Sequence, residues 1–443
     1  MLNIIRSRTA NGVRTYNSPN PITLAAVDAV GKAGGATGTT TSTGSGVLAS
    51  DTSQPLTRDY NFTIDQELPW KTRLDVGYVG SRTINQPLEG NAPVSLQDLN
   101  VIPLGGAFAG GKCANPPCNV GTIPASVYPL GAQYGINAVN VLQHRGKSNY
   151  NGLQLSWLKQ TGRINYNLNY TWSKALGTLG TGQLNGLTPD ATNINNDYGV
   201  LSIDRSHVFN FSYTFQSGNP VRGNAFLRGV ANGWNISGIS TWQSGPNLNS
   251  IVTTNFNIGG TGPDDPTAVD KNGLPSPGHG IGISNANYIG TPNINLQPTL
   301  TCDPTSNLGP HQYVNGSCFG IPNGGTNGPY HYPYIHGPAY FNSDLAVFKS
   351  FKITEAQSFE LRLSAFNFLN HPLWSFNPNQ HGDLSLNYKY SCTTFSSVTN
   401  AKGTVGGFCL NGNGSYAQTN PIFGVAQNQY GRRVAEISLK YKF

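Results

Sequence analysis

Apolar and polar residues alternate with a period of two along several stretches of the chain. Tyr60, Phe62 and Ile64 alternate with Asn61, Thr63 and Asp65; Ile164, Tyr166, Leu168, Tyr170 and Trp172 with Asn165, Asn167, Asn169 and Thr171; Phe209, Phe211, Tyr213 and Phe215 with Asn210, Ser212 and Thr214. Such alternation predicts strands with one apolar and one polar face. Looser versions occur at Leu74-Val76-Tyr78, Leu153-Leu155-Trp157, Trp234-Ile236, Phe341 to Val347 and Phe359-Leu361-Leu363. The chain closes on Ile437, Leu439, Tyr441 and Phe443, alternating with Glu436, Ser438, Lys440 and Lys442. Nine strands result, near 58–67, 71–80, 149–159, 163–173, 205–215, 233–242, 340–351, 357–369 and 433–443.

The spacers alternate too. Strands one, three, five and seven are followed by short connections, around Leu68-Pro69-Trp70, Gln160-Thr161-Gly162, Gln216 to Asn232, and Lys352 to Ala356. Strands two, four, six and eight are followed by long ones, from about 30 to about 97 residues, beyond the loop lengths usual in compact domains. Short turns on one side and long loops on the other is the pattern of an antiparallel transmembrane β-barrel, whose strands face lipid with apolar and lumen with polar side chains. Water is absent from the hydrocarbon, so backbone groups must all pair, and only helices or closed barrels can span. Trp70, Trp157, Trp172, Trp234, Trp242 and Trp374 lie in or beside strands, as an interfacial aromatic girdle requires. The competing reading, a soluble β-sandwich or propeller, does not account for four long loops on one side.

Composition sharpens this picture. Charged residues make up 11% of the 443 residues, against roughly 25% in ordinary soluble domains, and 54 Gly, 29 Pro and a single Met argue against a helical bundle. A charge on the lipid face would cost about 2–4 kcal/mol at mid-bilayer, which explains the shortage. The formal net charge of +7 is not gathered into a basic stripe, Arg432-Arg433 being the densest pair, so nucleic acid is not an expected partner. The longest apolar run, Pro21 to Val30, contains Asp28 and is too short for a spanning helix; the first residues lack a secretory apolar core. Six cysteines fall as sequence neighbours, Cys113 with Cys118, Cys302 with Cys318 and Cys392 with Cys409, in Gly/Pro/Asn-rich surroundings that suit loop-closing disulfides in an oxidising compartment.

With the C-terminus on the periplasmic side, the short turns are periplasmic and all three cysteine pairs are extracellular. Strand one then runs downward, which makes residues 1–57, including the Gly/Thr-rich stretch Gly31 to Gly46, an extracellular loop remnant and 58–443 the C-terminal part of a barrel. Single-chain bacterial barrels have even strand counts. Nine is odd unless Leu2 to Thr9 adds a tenth, so a partial barrel of about 9–10 strands is expected.

Six segments, taken together, resemble the Oar-like TonB-dependent receptors of acidobacterial type: Ile64-Asp-Gln-Glu-Leu-Pro-Trp-Lys-Thr-Arg-Leu-Asp-Val-Gly-Tyr-Val-Gly-Ser81, Ser148-Asn-Tyr-Asn-Gly-Leu-Gln-Leu-Ser156, Tyr170-Thr-Trp-Ser-Lys174, Ser202-Ile-Asp-Arg-Ser-His-Val-Phe209, Gly233-Trp-Asn-Ile-Ser-Gly-Ile-Ser-Thr-Trp-Gln-Ser-Gly245 and Ala365-Phe-Asn-Phe-Leu-Asn-His-Pro372. The resemblance runs over roughly residues 55–443 and implies a bacterial outer-membrane barrel of about 22 strands behind a periplasmic plug and a TonB-contacting segment. No plug or TonB box is recognisable, so TonB is expected to act only through a missing N-terminal plug. The implied function is that of a C-terminal barrel segment of a receptor binding or importing a large substrate of unknown identity. The alternatives are a surface adhesion or structural outer-membrane protein and a secreted soluble β-protein; an isolated open sheet is expected to aggregate in water.

Candidate site residues are few. Asp204, Arg205 and His207 precede a strand at its extracellular end, as gating or ligand residues or as structural charges. Glu360 and Arg362 share the polar face of strand eight and line the lumen, where an ion-pair network competes with substrate contact. Ile437, Leu439, Tyr441 and Phe443 form the terminal signature that outer-membrane assembly machinery would read by strand pairing. His331 and His336 have no carboxylate alongside, and Asp270-Lys-Asn272-Gly273 after Asp264-Asp265 lacks the closing Glu of a calcium loop, so no metal is expected. No nucleophile elbow, zinc-protease helix or phosphate loop occurs; no catalytic residue, cofactor or enzymatic activity is expected. The partners left are outer-membrane lipid, the assembly machinery and the substrate.

Overall fold

The computed structural model describes residues 53–86, 100–108, 136–178, 192–248, 256–260, 283–355, 357–376, 384–392 and 414–443, with Asp190 and short pieces at 7–8, 14–15, 42–47, 96–98, 123, 127–129, 396–399 and 405–408. Nine long strands form one antiparallel meander: β1 Leu56–Leu68, β2 Thr72–Gln86, β3 Gly146–Lys159, β4 Ile164–Gly177, β5 His207–Gln216, β6 Trp234–Gln243, β7 Tyr340–Lys352, β8 Ser358–Phe366 and β9 Val434–Lys442. Each pairs with its sequence neighbours, and the two-residue strand Gly199–Val200 adds to the end of β4. All nine coincide with alternating segments of the sequence. Among the described residues the outer edges of β1 and β9 are unpaired, so the sheet is open.

Register converts the alternation into two continuous faces. Ile64, Val76, Leu155, Tyr170, Phe209, Trp242 and Phe341 form one cross-strand row, and Ile164, Phe215, Ile236, Val347, Leu363 and Ile437 another on the same side. One residue along, Asp65, Asp75, Ser156, Asn169, Asn210, Thr241 and Asn342 form a row on the opposite side. The hydroxyls of Ser240 and Ser343, which fall on the apolar face, hydrogen-bond to each other at 2.7 Å. Apolar-face positions on β7 run from Phe341 to Phe351, which at ~3.3 Å per residue and a tilt near 40° covers the roughly 25 Å apolar band of a barrel.

The connections β1–β2, β3–β4 and β7–β8 are tight. In the first, Trp70 and Lys71 both adopt left-handed backbone (φ 62° and 56°), and the indole projects outward, 80% exposed. The connection β5–β6, expected to be a plain spacer, contains a short helix, α1 Ala225–Ala231.

The described parts of the four long connections fold together into a layer with its own apolar core: Leu248, Phe256, Ile258, Ile289, Leu296, Val314, Phe319, Tyr332 and Ile335 from the loop after β6 pack with Leu384, Leu386, Tyr390 and Phe423 from the loop after β8. Strand 256–260 runs parallel to 386–390, and 414–418 closes the other side. The loop after β2 joins through Gly105 N to Ile289 O (2.8 Å) and Ile102 N to Asn293 Oδ1 (2.9 Å). A second short helix, α2 Asn285–Ile289, is capped by Ser284 and ends on Gly290 in left-handed conformation.

Three expectations are corrected. Trp374 belongs to the loop layer and not the girdle: it lies on the short strand Leu373–Ser375 and stacks on His311, ring centroids 3.7 Å apart. The candidate tenth strand at Leu2 to Thr9 overlaps Ser7–Arg8, which pairs with Arg14–Thr15 in a separate two-strand piece. Part of the low-complexity stretch, Ser42–Val47, is a strand parallel to Ile136–Leu142.

Candidate functional site

The polar face of the sheet presents chemistry set by register. On β1 and β2, Arg73 bridges Asp65 (2.5 Å) and Asp75 (2.9 Å). On β8 and β9, Glu360 pairs with Arg362 at 3.3 Å and Lys442 at 3.0 Å, and the Arg362 guanidinium lies 4.6 Å from the Phe348 ring centre. The sequence candidates Glu360 and Arg362 thus belong to a three-member ion cluster. Between the two clusters the face is mostly amide and hydroxyl, interrupted by Leu158, Ile239, Asp344 and Phe348. A groove of about 350 Å³ there is lined by Asn165, Asn167, Ser212, Thr214, Ser237 and Ile239. The buried Oδ1 atoms of Asn165 and Asn167 have no protein partner, leaving two acceptors to be satisfied by water or ligand.

At the long-loop end, Asp204 is 2% exposed and stitches the return into β5. Its Oδ1 accepts from Ala175 N (2.6 Å), its Oδ2 from Ser206 Oγ (3.1 Å), and Lys174 Nζ lies 3.7 Å away. Arg205 donates to the carbonyls of Ser202 (2.9 Å) and Asp204 (2.8 Å). His207 is the first residue of β5 and turns to the apolar face, where Nδ1 meets Tyr170 Oη at 2.8 Å and Trp242 lies 6.3 Å away. Asp204 and Arg205 therefore sit together at the rim, with Glu360 and Arg362 in a separate cluster.

The loop layer holds a second polar constellation that the sequence did not disclose. Asp190 accepts from Tyr330 Oη (3.1 Å), Asn196 Nδ2 (2.8 Å) and Thr192 N (2.9 Å), tying the loop after β4 to the loop after β6. Asp197 beside it has an Oδ2 without a partner, and burial raises its pKa to about 8. Burial also pushes Tyr330 up to about 12 and lowers His331 and His336. Asp190 and Asp197 carry no local motif; their meeting depends on Tyr330, far along the chain.

Cys302 and Cys318 form a disulfide (S–S 2.03 Å) that closes a loop of this layer, as their proximity in sequence suggests. Cys392 ends the strand Leu386–Cys392, while Cys113, Cys118 and Cys409 lie outside the described residues, as do Asp264, Asp265 and Asp270. At the C-terminus, Ile437 (75% exposed), Leu439, Tyr441 and Phe443 (94%) lie on the apolar side, with Tyr441 4.9 Å from Phe359 and 6.0 Å from Phe443 between ring centres.

A family model described as outer membrane beta barrel domain matches residues 3–406. The chain belongs to that family. Its apolar face is accordingly the lipid face of an outer-membrane β-barrel domain, and its polar face the lumenal one. Among curated proteins, none matches the sequence. Among solved structures, the outer membrane transporter YddB from Escherichia coli is similar, with 8% identity and a TM-score of 0.32 over 84% of this chain and 33% of that one. This barrel domain thus spans about a third of that transporter's length. Trp172 and Trp242 mark one interface of the lipid face, and Trp70, Trp234, Phe351 and Phe359 the other.

Proposed function

We propose that this chain is the C-terminal barrel portion of an Oar-like TonB-dependent receptor that binds or imports a large substrate. The carrying observation is the pairing of an open nine-strand sheet with a folded loop layer at one end. Two edges unpaired among the described residues call for further strands to complete the barrel, since a bilayer tolerates no open edge. The loop layer, stiffened by its core and by the Cys302–Cys318 bridge, is a preorganised surface for capturing a ligand above a lumen whose amides and hydroxyls lie between two ion clusters. In this reading the short connections and the C-terminus face the periplasm, and energised transport depends on a plug and TonB box supplied elsewhere in the same polypeptide.

The coding sequence immediately upstream of Met1 tests this. An in-frame continuation encoding a plug and a TonB box is expected; a stop codon and promoter there would overturn the receptor reading and leave a surface adhesion or structural role. The terminal strand is part of the same proposal, with Ile437, Leu439, Tyr441 and Phe443 read by the barrel assembly machinery through pairing to the free β9 edge. Deleting Phe443 should reduce membrane insertion in a heat-modifiability gel; unchanged insertion removes that element.

A further inference from the structure

The connection between β5 and β6 folds back against the outside of the sheet. Helix α1 is capped by Asn224, whose side chain accepts from Phe226 N at 2.7 Å. Its base is closed by Asn232, which accepts from Val221 N (2.9 Å) and donates to Val221 O (2.8 Å). The carbonyls of the C-terminal turn point at the lipid face: Val230 O accepts from Lys349 Nζ (2.9 Å) and Trp234 Nε1 (2.7 Å), and Lys349 also donates to Gly229 O.

Lys349 explains why the helix is there. It is flanked in register by Trp234 and Leu361, so its side chain emerges on the lipid face, yet it is only 4% exposed. An ammonium facing lipid without partners is costly. Here its protons go to the free carbonyls at a helix C-terminus, where a cation also meets the favourable end of the helix dipole. Trp234 and Phe351 rings lie 5.5 and 4.9 Å from Nζ. The ammonium thereby fixes α1 to the outer side of the barrel at the short-connection end.

The far side of α1 is apolar and uncovered. Phe226 (76% exposed), Leu227 (54%) and Val230 (51%) fall within an arc of about 100° at 100° per residue, and Arg228 lies opposite. Arg222 precedes the helix, and no acidic residue occurs between Gln216 and Trp234. The apolar arc continues the lipid face, and the two cations match acidic headgroups.

We propose that α1 is an interfacial anchor seated in the phospholipid leaflet at the short-connection end, with Phe226, Leu227 and Val230 inserted among the acyl chains and Arg222 and Arg228 at the headgroup phosphates. The choice of leaflet rests on the orientation proposed above; the lipid seating does not.

The test places a spin label at Leu227→Cys, and in a second variant at Asn219→Cys, in the protein purified from outer membranes and returned to phosphatidylethanolamine/phosphatidylglycerol vesicles. Collisions with oxygen, which concentrates in hydrocarbon, should exceed those with an aqueous nickel chelate at position 227 and fall below them at 219. Equal access of the chelate to both positions would overturn the anchor. Lys349→Met, with the label kept at 227, should raise chelate access several-fold; no change would remove the proposed tie. On intact cells a membrane-impermeant maleimide should not reach Asn219→Cys. Labelling there would overturn the leaflet and the proposed orientation while the depth measurement still reports on anchoring.

Discussion

Phe62 and Phe256 are the same side chain in two regions of one molecule, 66% and 1% exposed. Phe62 sits on β1 beside Tyr78 with its outer surface left to the bilayer, whereas Phe256 is enclosed by residues of two loops, with Tyr388 edge-on at 5.8 Å. The nine-strand sheet has no core of its own: each strand is held by ladder hydrogen bonds to its neighbours, and its apolar face is finished by lipid. The loop layer is built like a soluble protein, on interdigitated side chains from segments that lie far apart in the chain. Substitutions of one kind should therefore have different consequences in the two regions.

The largest difference is expected for truncation. Phe256→Ala should cost about 3–5 kcal/mol of loop-layer stability, because the cavity it leaves has few ways to collapse. Phe62→Ala loses lipid contact and part of its cross-strand contact with Tyr78, and no enclosed protein cavity opens. Limited proteolysis of the reconstituted protein would read this: rapid cleavage in 244–339 and 367–433 for Phe256→Ala with the sheet intact, and no new cleavage for Phe62→Ala. If both variants were cut alike, the loop layer would not be an independent packing unit.

A smaller effect distinguishes the two faces of the sheet itself. Leu155 and Gln154 are adjacent on β3 and point to opposite sides, Leu155 in the row from Ile64 to Trp242 and Gln154 beside Gly77 and Thr171. Leu155→Arg should destabilise folding into vesicles by about 2–4 kcal/mol, and Gln154→Arg by much less, since the lumen is aqueous. Urea titrations in lipid would compare them; equal costs would mean that the faces have been assigned to the wrong solvents.

The sheet was legible in the sequence because its rule is local. Residues two apart share a face, so Ile164 to Trp172 declares its geometry without reference to any other part of the chain. The loop core has no such rule. Tyr288-Ile289, Ile294-Asn-Leu296 and Tyr334-Ile335 are short pieces among Asn, Pro and Gly with no sustained period, and strand 256–260 finds its partner far along the chain at 386–390. Helix α1 is too short to show a period, and Lys349 betrays its role only once Gly229 and Val230 are in place. Glu360 and Arg362 can be paired from sequence because they share a strand face, whereas Asp190 and Asp197 carry no local sign because Tyr330, far along the chain, completes their setting.

Asp197 offers the finest test of whether the loop layer behaves as a soluble core. Burial raises its pKa to about 8, with neighbouring Asp190 adding to the rise and the hydrogen bond from Asp190 N opposing it. In an unfolded chain the same carboxyl titrates near 3.9. The folded form therefore binds the proton more tightly, and the sign follows: below about pH 4 both states are protonated and nothing is lost, between about 4 and 8 ionisation increasingly favours the unfolded loops, and above about 8 the loss is complete. Asp197→Asn keeps the shape and removes the titration. The loop layer of the unsubstituted protein should thus become easier to cleave as pH rises from 5 to 9 by an amount that Asp197→Asn abolishes, while urea resistance of the strands shows no such Asp197-dependent change. A pH response of equal size in the Asn variant would mean that Asp197 is hydrated, and that this part of the layer is packed less tightly than the region around Phe256.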